Sequence, residues 1–295
     1  MGDGIMSNFS DFIGGGSASV INETIDINSA ENLITLDDGR VYLKGGVTET
    51  DTTTYPDATS ALAYSGTNFS LSAQLTSANG VSFDGTSFWI MTSGGTAYKY
   101  NSAGVYQNLT FSVTSQTANP QDIFWDGSHL WVLGYTQQAL FKYNSSGVYQ
   151  NVSVAVNYSS FSGRGATWDG THYYVCDSSA AKVVKFTASG YVSEFSTANQ
   201  TITNQAITWD GTYLWVVGSA IDTMFAYSTS GVYQNLSLNI RPQEATPMGL
   251  AAYNKDFYLT GTAEHKVFKY SPQIGVVSET GTPLTQGKQN YVRIK

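Results

Sequence analysis

The sequence predicts an all-β protein, a β-propeller of four-stranded blades with an extended N-terminal arm. Three observations predict it. One phrase is written four times, as FDGTSFWIMT, WDGSHLWVLG, WDGTHYYVCD and WDGTYLWVVG. Its Asp-Gly pivots, Asp84, Asp126, Asp169 and Asp210, stand 42, 43 and 41 residues apart. Each copy also continues alike, into AYKYNSAGVYQNLTF, LFKYNSSGVYQNVSV or MFAYSTSGVYQNLSL. Four short strands at a period near 42 are what a propeller blade requires, and a helical repeat would need a 3.6-residue periodicity that is absent.

Within a unit each element has its own cause. AITW is β-branched and aromatic, a strand that ends at the pivot. Asp-Gly then makes a tight turn, with Gly taking backbone angles that other residues resist. LWVVG is apolar at every position, so both of its faces must be covered, as when sheets stack face to face. After a variable turn come MFAYS, the turn residues TSG, and the outermost strand VYQNLSL. Two degenerate copies flank the set: AAYNKDFYLTG with Asn254 at its pivot, and LDDGRVYLKGG with Asp38. Six pivots predict six blades, or five if the first unit, which carries the insertion GGVTETDTTTYPDATSALAY, is not a blade. The expected organisation is an anchoring arm over 1–30, the propeller over 31–285, and a C-terminal strand over 286–295. That last strand, around NYVRIK, either closes the ring or reaches to a neighbour, and SVINETIDI near the start is a second candidate for pairing with the last blade.

Composition narrows the function classes. The chain has 295 residues with 41% hydrophobic and 14% aromatic content, ample for a packed core. Only 12% is charged and the net charge is −8, which argues against nucleic acid, because a phosphate footprint needs clustered Lys and Arg. One cysteine, Cys176, allows neither an internal disulfide nor a Cys-based zinc site. The opening MGDGIMSNFSDFIGGGSASV lacks the features of a signal peptide, and no apolar stretch has the ~20 residues of a membrane span. The nine Asn-x-Ser/Thr triplets, Asn108, Asn151 and Asn235 among them, read as composition and not as glycosylation sites.

The repeated residues read as architecture. Trp125, Trp168 and Trp209, with Phe83 and Tyr253 at the same position, are expected to wedge between blades. Asp84, Asp126, Asp169 and Asp210 read as turn residues, ahead of a cation-binding ring, because calcium wants its six to eight oxygens in one small site. His129 and His172 share one repeat position without a carboxylate at ligand spacing, so no metal site and no cofactor are expected. Lys99, Lys142, Lys185 and Lys269 share a third-strand position, where their stems are expected to lie along apolar neighbours. No G-x-S-x-G elbow, phosphate loop or H-E-x-x-H occurs. A carboxylate pair made by the fold is the one enzymatic alternative, with Glu194, Asp222, Glu244 and Glu264 scattered through variable segments. The units differ most between their second and third strands and between blades, two sets of loops expected on one face. Tyr135, Gln137, Tyr158, Phe161, Arg164 and Arg241 fall there, and such side chains stack on sugars or hydrogen-bond their hydroxyls.

The ends of the chain carry a resemblance. SDFIGGG, then AENLITLDDGRVYLKGGVTETDTTTYPDA, and finally NYVRIK resemble the framework of tail-fibre-type and virion-surface proteins of marine tailed bacteriophages, in which such segments flank WDGT propeller repeats. The resemblance implies a non-enzymatic virion protein, assembled in the bacterial cytoplasm, whose propeller binds a host-surface glycan or protein. It also implies other virion proteins as partners of the N-terminal arm, a homo-oligomeric state, and no nucleic-acid or membrane-inserting role. A purely structural virion component and a carbohydrate-active enzyme are the alternatives.

Overall fold

The structure, a computed structural model, describes residues 22–23, 33–35, 41–44, 50–54, 62–158, 162–272, 274–278 and 291–294. It divides into two compact units, Ala58–Pro272 and a second formed by Met1–Asp57 with Gln273–Lys295. The larger unit is the propeller. Its five blades are four-stranded antiparallel sheets. Blade 1 runs Gly80–Phe83, Ser87–Met91, Thr96–Asn101 and Tyr106–Ser112. Blade 2 runs Pro120–Trp125, Leu130–Gly134, Ala139–Tyr143 and Tyr149–Ala155. Blade 3 runs Gly163–Trp168, Tyr173–Asp177, Lys182–Thr187 and Gly190–Ser196. Blade 4 runs Asn204–Trp209, Leu214–Gly218, Thr223–Tyr227 and Tyr233–Asn239. In blade 5 the chain supplies Pro247–Tyr253, Asp256–Gly261 and Lys266–Pro272, and the outermost strand comes from Leu62–Ser70, far earlier in the sequence.

That strand corrects two expectations. The described residues form five blades and not six, and the Asp38 unit is not one of them. Its hairpin, Leu33–Thr35 with Val41–Lys44, pairs instead with Tyr291–Ile294 in a three-stranded sheet. Neither chain end closes the ring. Asn22–Glu23 of SVINETIDI pairs with Thr50–Thr54, which pairs with Ile274–Ser278 in a second small sheet. The closing strand follows the repeat: Tyr64 stands where Tyr106, Tyr149 and Tyr233 stand, opposite a third-strand tyrosine. Gly66, with φ of 82°, takes the left-handed position that Asn108, Asn151 and Asn235 take in blades 1, 2 and 4 at φ of 52°, 54° and 58°. These asparagines are thus bulge residues, which tolerate that conformation better than most.

The core is five layers between blades, not one centre. Along Leu130–Gly134, Leu130 and Val132 face blade 1 while Trp131 and Leu133 face blade 3. Leu214–Gly218 alternates in the same way, Leu214 and Val216 toward blade 3 and Trp215 and Val217 toward blade 5. This is why a continuous apolar run is a strand with period two. The innermost strands approach closely: a Cβ on Gly165 would lie 2.7 Å from the Ala206 backbone, and one on Gly249 would lie 2.7 Å from that of Gly80.

The Asp-Gly pivots behave as turn residues. Asp126 Oδ1 accepts the amides of Ser128 and His129 and the Ser128 hydroxyl, and its Oδ2 accepts the Trp131 indole N–H at 2.6 Å. Asp169 does the same for Thr171, His172 and the Tyr174 hydroxyl, and Asp210 for Thr212, Tyr213 and the Trp215 indole. Asp84 Oδ1 holds the Thr86 and Ser87 amides. Burial alone would raise the Asp126 and Asp169 carboxyls, but these hydrogen bonds hold both below their usual range. Blade 5 turns differently, through Asn254 and Lys255 at φ of 49° and 68°, a two-residue hairpin. In every blade but the fourth, where Ala226 faces Trp215, a third-strand lysine lies opposite the second-strand aromatic, with Lys99, Lys142 and Lys185 ammoniums 5.1, 5.5 and 5.4 Å from the rings of Trp89, Trp131 and Tyr174. Lys269 instead pairs with Asp256 at 2.7 Å.

Ring closure gives a direct prediction. A fragment spanning residues 58–272 is expected to melt in one cooperative transition by circular dichroism. A fragment starting at Gly80 leaves the Lys266–Pro272 edge unpaired and is expected to lose that transition or aggregate. Equal cooperativity in the two would contradict this account of closure.

Candidate functional site

The variable loops do share one face. In every blade the turn between second and third strands accepts an amide from the segment that follows the outermost strand. Val113 donates to Gly95, Val156 to Gln138, Thr197 to Ala181, Ile240 to Asp222 and Leu71 to His265, at 2.8–2.9 Å. A second device tightens four of the five junctions. A third-strand tyrosine donates its hydroxyl to a glutamine of the preceding inter-blade segment: Tyr100 to Gln74, Tyr143 to Gln116, Tyr227 to Gln200 and Tyr270 to Gln243.

The junction between blades 2 and 3 is built otherwise. Phe186 replaces the tyrosine, and the sequence from 156 to 162 contains no glutamine. In blades 2, 4 and 5 a second-strand glycine makes room for a residue of the inter-blade segment, Gly134 for Thr117, Gly218 for Thr201 and Gly261 for Glu244, while blade 1 has Thr92 there. In blade 3 that position is Asp177, buried, with Oδ1 accepting the Ser162 and Ser179 amides and Oδ2 left without a hydrogen-bond partner. The innermost strands of blades 2 and 3 bulge at Gln121 and Arg164. Arg164 donates from Nη1 to Gln121 Oε1 at 2.8 Å, and its guanidinium lies 5.8 Å from the Tyr135 ring centroid. Among the described residues its Nε is buried without a partner.

A second group at this junction is centred on Tyr158, whose ring stacks on Tyr191 at 5.3 Å and 17°. The Lys182 ammonium lies 5.1 Å from the Tyr158 ring and 2.8 Å from Glu194 Oε1. A hydrogen bond to Glu194 pushes the Tyr158 hydroxyl up, and hydrogen bonds from Lys182 and Tyr158 pull the Glu194 carboxyl down. The stacked pair Tyr158 and Tyr191, with the Lys182 ammonium and the Glu194 carboxylate beside it, can therefore meet a polar ligand by stacking and hydrogen bonding.

Of the residues singled out by sequence, the structure joins Tyr135 to Arg164 and places Tyr158 in the neighbouring group. Gln137 is exposed on the Tyr135 turn. Arg241 lies in the segment after blade 4, its side chain 70% exposed and 3.5 Å from Asp222, apart from the other residues. Phe161 lies outside the described residues. Sequence reasoning missed Gln121, Lys182 and Tyr191; the absent glutamine together with Phe186 was the signal that marks this junction.

At the other end of the blades, Phe83, Trp125, Trp168, Trp209 and Tyr253 ring a small opening of about 80 Å³ among the innermost strands. The tryptophans also pack into inter-blade layers, Trp168 against Tyr173 at 4.4 Å. Among the described residues, no three His, Cys, Asp or Glu side chains are grouped to hold a metal.

Comparison with known proteins supports the fold. Glutaminyl cyclase from Myxococcus xanthus is similar, with a TM-score of 0.58 at 14% identity over 73% of this chain and 97% of that one. Virginiamycin B lyase from Staphylococcus aureus aligns with a TM-score of 0.44 at 14% identity, over 83% of this chain and 82% of that one. No protein-family model and no curated protein matches the chain. At such identity the likeness is one of fold alone.

One buried acid beside the site gives a pH prediction. Asp122, fully buried between blades 1 and 3, accepts the Ile123 and Ala166 amides. Burial raises its carboxyl well above the usual 3.8, with those two amides pulling the other way. Its contribution to stability is therefore complete below that value and is lost as pH rises through the raised folded value. Urea unfolding at a series of pH values from about 4 to about 8 should show Asp122→Asn with a flatter pH slope than wild type. Identical slopes would contradict a protonated Asp122.

Proposed function

We propose that this protein is a binding module of a phage particle whose propeller recognises a host-surface glycan or protein through the loop face at the junction of blades 2 and 3. One observation supports the reading: the glutamine–tyrosine bond is lost at a single junction in five, and that junction carries two aromatic–cation groups, Tyr135 with Arg164 and Tyr158 with Lys182. A scaffold that drifted freely would lose the glutamine–tyrosine bond at scattered junctions, whereas here its loss coincides with Asp177 and with the paired aromatic and cationic groups. Two buried carboxylates near this face are taken up by backbone amides, which fits binding without catalysis. Asp122 accepts amides with both oxygens, and Glu244 accepts amides of Thr246, Ala263 and Glu264. The resemblance of the terminal segments supports a place at the virion surface, with residues 1–30 as the anchor to another virion component and the propeller outward, in a homo-oligomer.

The test is saturable binding of labelled protein to marine bacterial cells and to their extracted surface polysaccharide. The combined variant Tyr135→Ala, Tyr158→Ala, Arg164→Ala is expected to weaken binding at least about tenfold, or ~1.4 kcal/mol, with its thermal unfolding nearly unchanged. Binding that survives in the variant would overturn the assignment of the site. Release of new reducing ends from the polysaccharide would point to an enzyme instead.

A further inference from the structure

A second pocket, of about 250 Å³, opens where blade 5 meets blade 1. Its residues lie near the turn that ends the innermost strand and near the turn between third and fourth strands, at Phe83 and Ser102, so it belongs to the end of the blades opposite the variable loops. The cause is a departure in size. Where blades 2, 3 and 4 end their innermost strand in tryptophan, blade 1 ends it in Phe83, and the smaller ring leaves space beside it.

The lining has two parts. Its floor is aromatic: Phe88 packs against Phe69, Phe83 and Tyr258 at centroid distances of 5.1, 4.4 and 4.8 Å, which fixes the floor before any ligand arrives. Its rim is polar, with the Thr67 and Ser102 hydroxyls, the Asn68 carboxamide and the Lys269 ammonium. Asn68 donates from Nδ2 to the Tyr64 hydroxyl at 2.6 Å, which orients the carboxamide and leaves its oxygen to accept. Lys269, the charged residue of the rim, is held at 2.7 Å by Asp256 outside the lining, which offsets its charge.

We infer that this seam is a binding site for a single neutral pyranose, such as the terminal residue of a glycan. A pyranose offers an apolar C–H face for the aromatic floor and a girdle of hydroxyls for the rim. A pocket of this size takes one ring and not an extended chain, since sites for drug-sized ligands begin near ~300 Å³. The ion pair of Lys269 with Asp256 removes the net charge that an acidic sugar would need. This inference does not rest on the loop-face reading, because no residue is shared.

Saturation-transfer NMR on the full chain with glucose, galactose, mannose and N-acetylglucosamine tests it. At least one of them should saturate with a dissociation constant on the order of millimolar. Asn68→Ala and Ser102→Ala are exposed changes that leave the core intact, and each should weaken binding severalfold. Phe83→Trp should fill the pocket and abolish binding in a chain that still unfolds cooperatively. The Tyr135, Tyr158, Arg164 variant should bind the sugar as wild type does, which separates this site from the loop face. No saturation by any of the four sugars, or saturation indifferent to Asn68, Ser102 and Phe83, overturns the inference.

Discussion

Everything in the propeller depends on packing blade against blade around a closed ring. Each sheet is apolar on both faces, so no blade is stable alone and none can stand at an open end. Second strands such as LWVLG therefore carry apolar side chains in both directions, and the hydrophobic interior is divided into five layers. The same demand explains the glycines of the innermost strands, where the next blade's backbone occupies the place of a side chain. It explains the strand Leu62–Ser70 as well. A ring whose last blade takes its outer strand from before the first cannot open without breaking a sheet.

Local chemistry then sets the spacing within each blade. One carboxylate closes the first turn through two backbone amides and, in blades 2, 3 and 4, reaches on to an indole or phenol of the second strand. The third-strand lysine covers that same aromatic side chain in blades 1, 2 and 3. Blade 4 carries Ala226 opposite Trp215, which packs on Phe257 of blade 5 instead. In blades 2 and 3 turn, second strand and third strand are thus tied by one short chain of polar and cation–π contacts, each modest, and blades 1 and 4 keep part of it.

The repeat was legible in the sequence because its cause is local: the Asp-Gly turn and the period-two strands need only neighbouring residues. Ring closure was not, because it joins Leu62–Ser70 to Lys266–Pro272 across two hundred residues. Yet the text of the closing strand is there, AYSGTNFSLS against VYQNLTFSVT, hidden by a glycine in the place of the bulge asparagine. The Asp38 unit misled because its sequence carries the Asp-Gly pivot, whereas Leu33–Thr35 and Val41–Lys44 pair with each other and with Tyr291–Ile294. At the candidate site, loop variability pointed to Tyr135, Tyr158 and Arg164, but their partners could not be read from spacing. Gln121 and Arg164 meet from bulges on different blades, and Lys182, Tyr191 and Glu194 come from the outer strands of blade 3. The seam pocket lay beyond reach altogether, since it is lined from five strands of two blades and a turn that spacing does not bring together.

The account turns on one asymmetry: four junctions are built for stability and one is built differently. Its most direct test is to rebuild the odd junction on the pattern of blade 2, replacing residues 157–160 by the corresponding segment after blade 1, Thr114–Thr117, together with Asp177→Gly and Phe186→Tyr. Thermal unfolding and binding to bacterial cells would be measured on the same preparation. The account predicts a restored tyrosine–glutamine bond, a higher melting temperature and loss of cell binding. A rebuilt protein that melts higher and still binds as wild type does would contradict it, and the odd junction would then be a packing variant without a role in recognition.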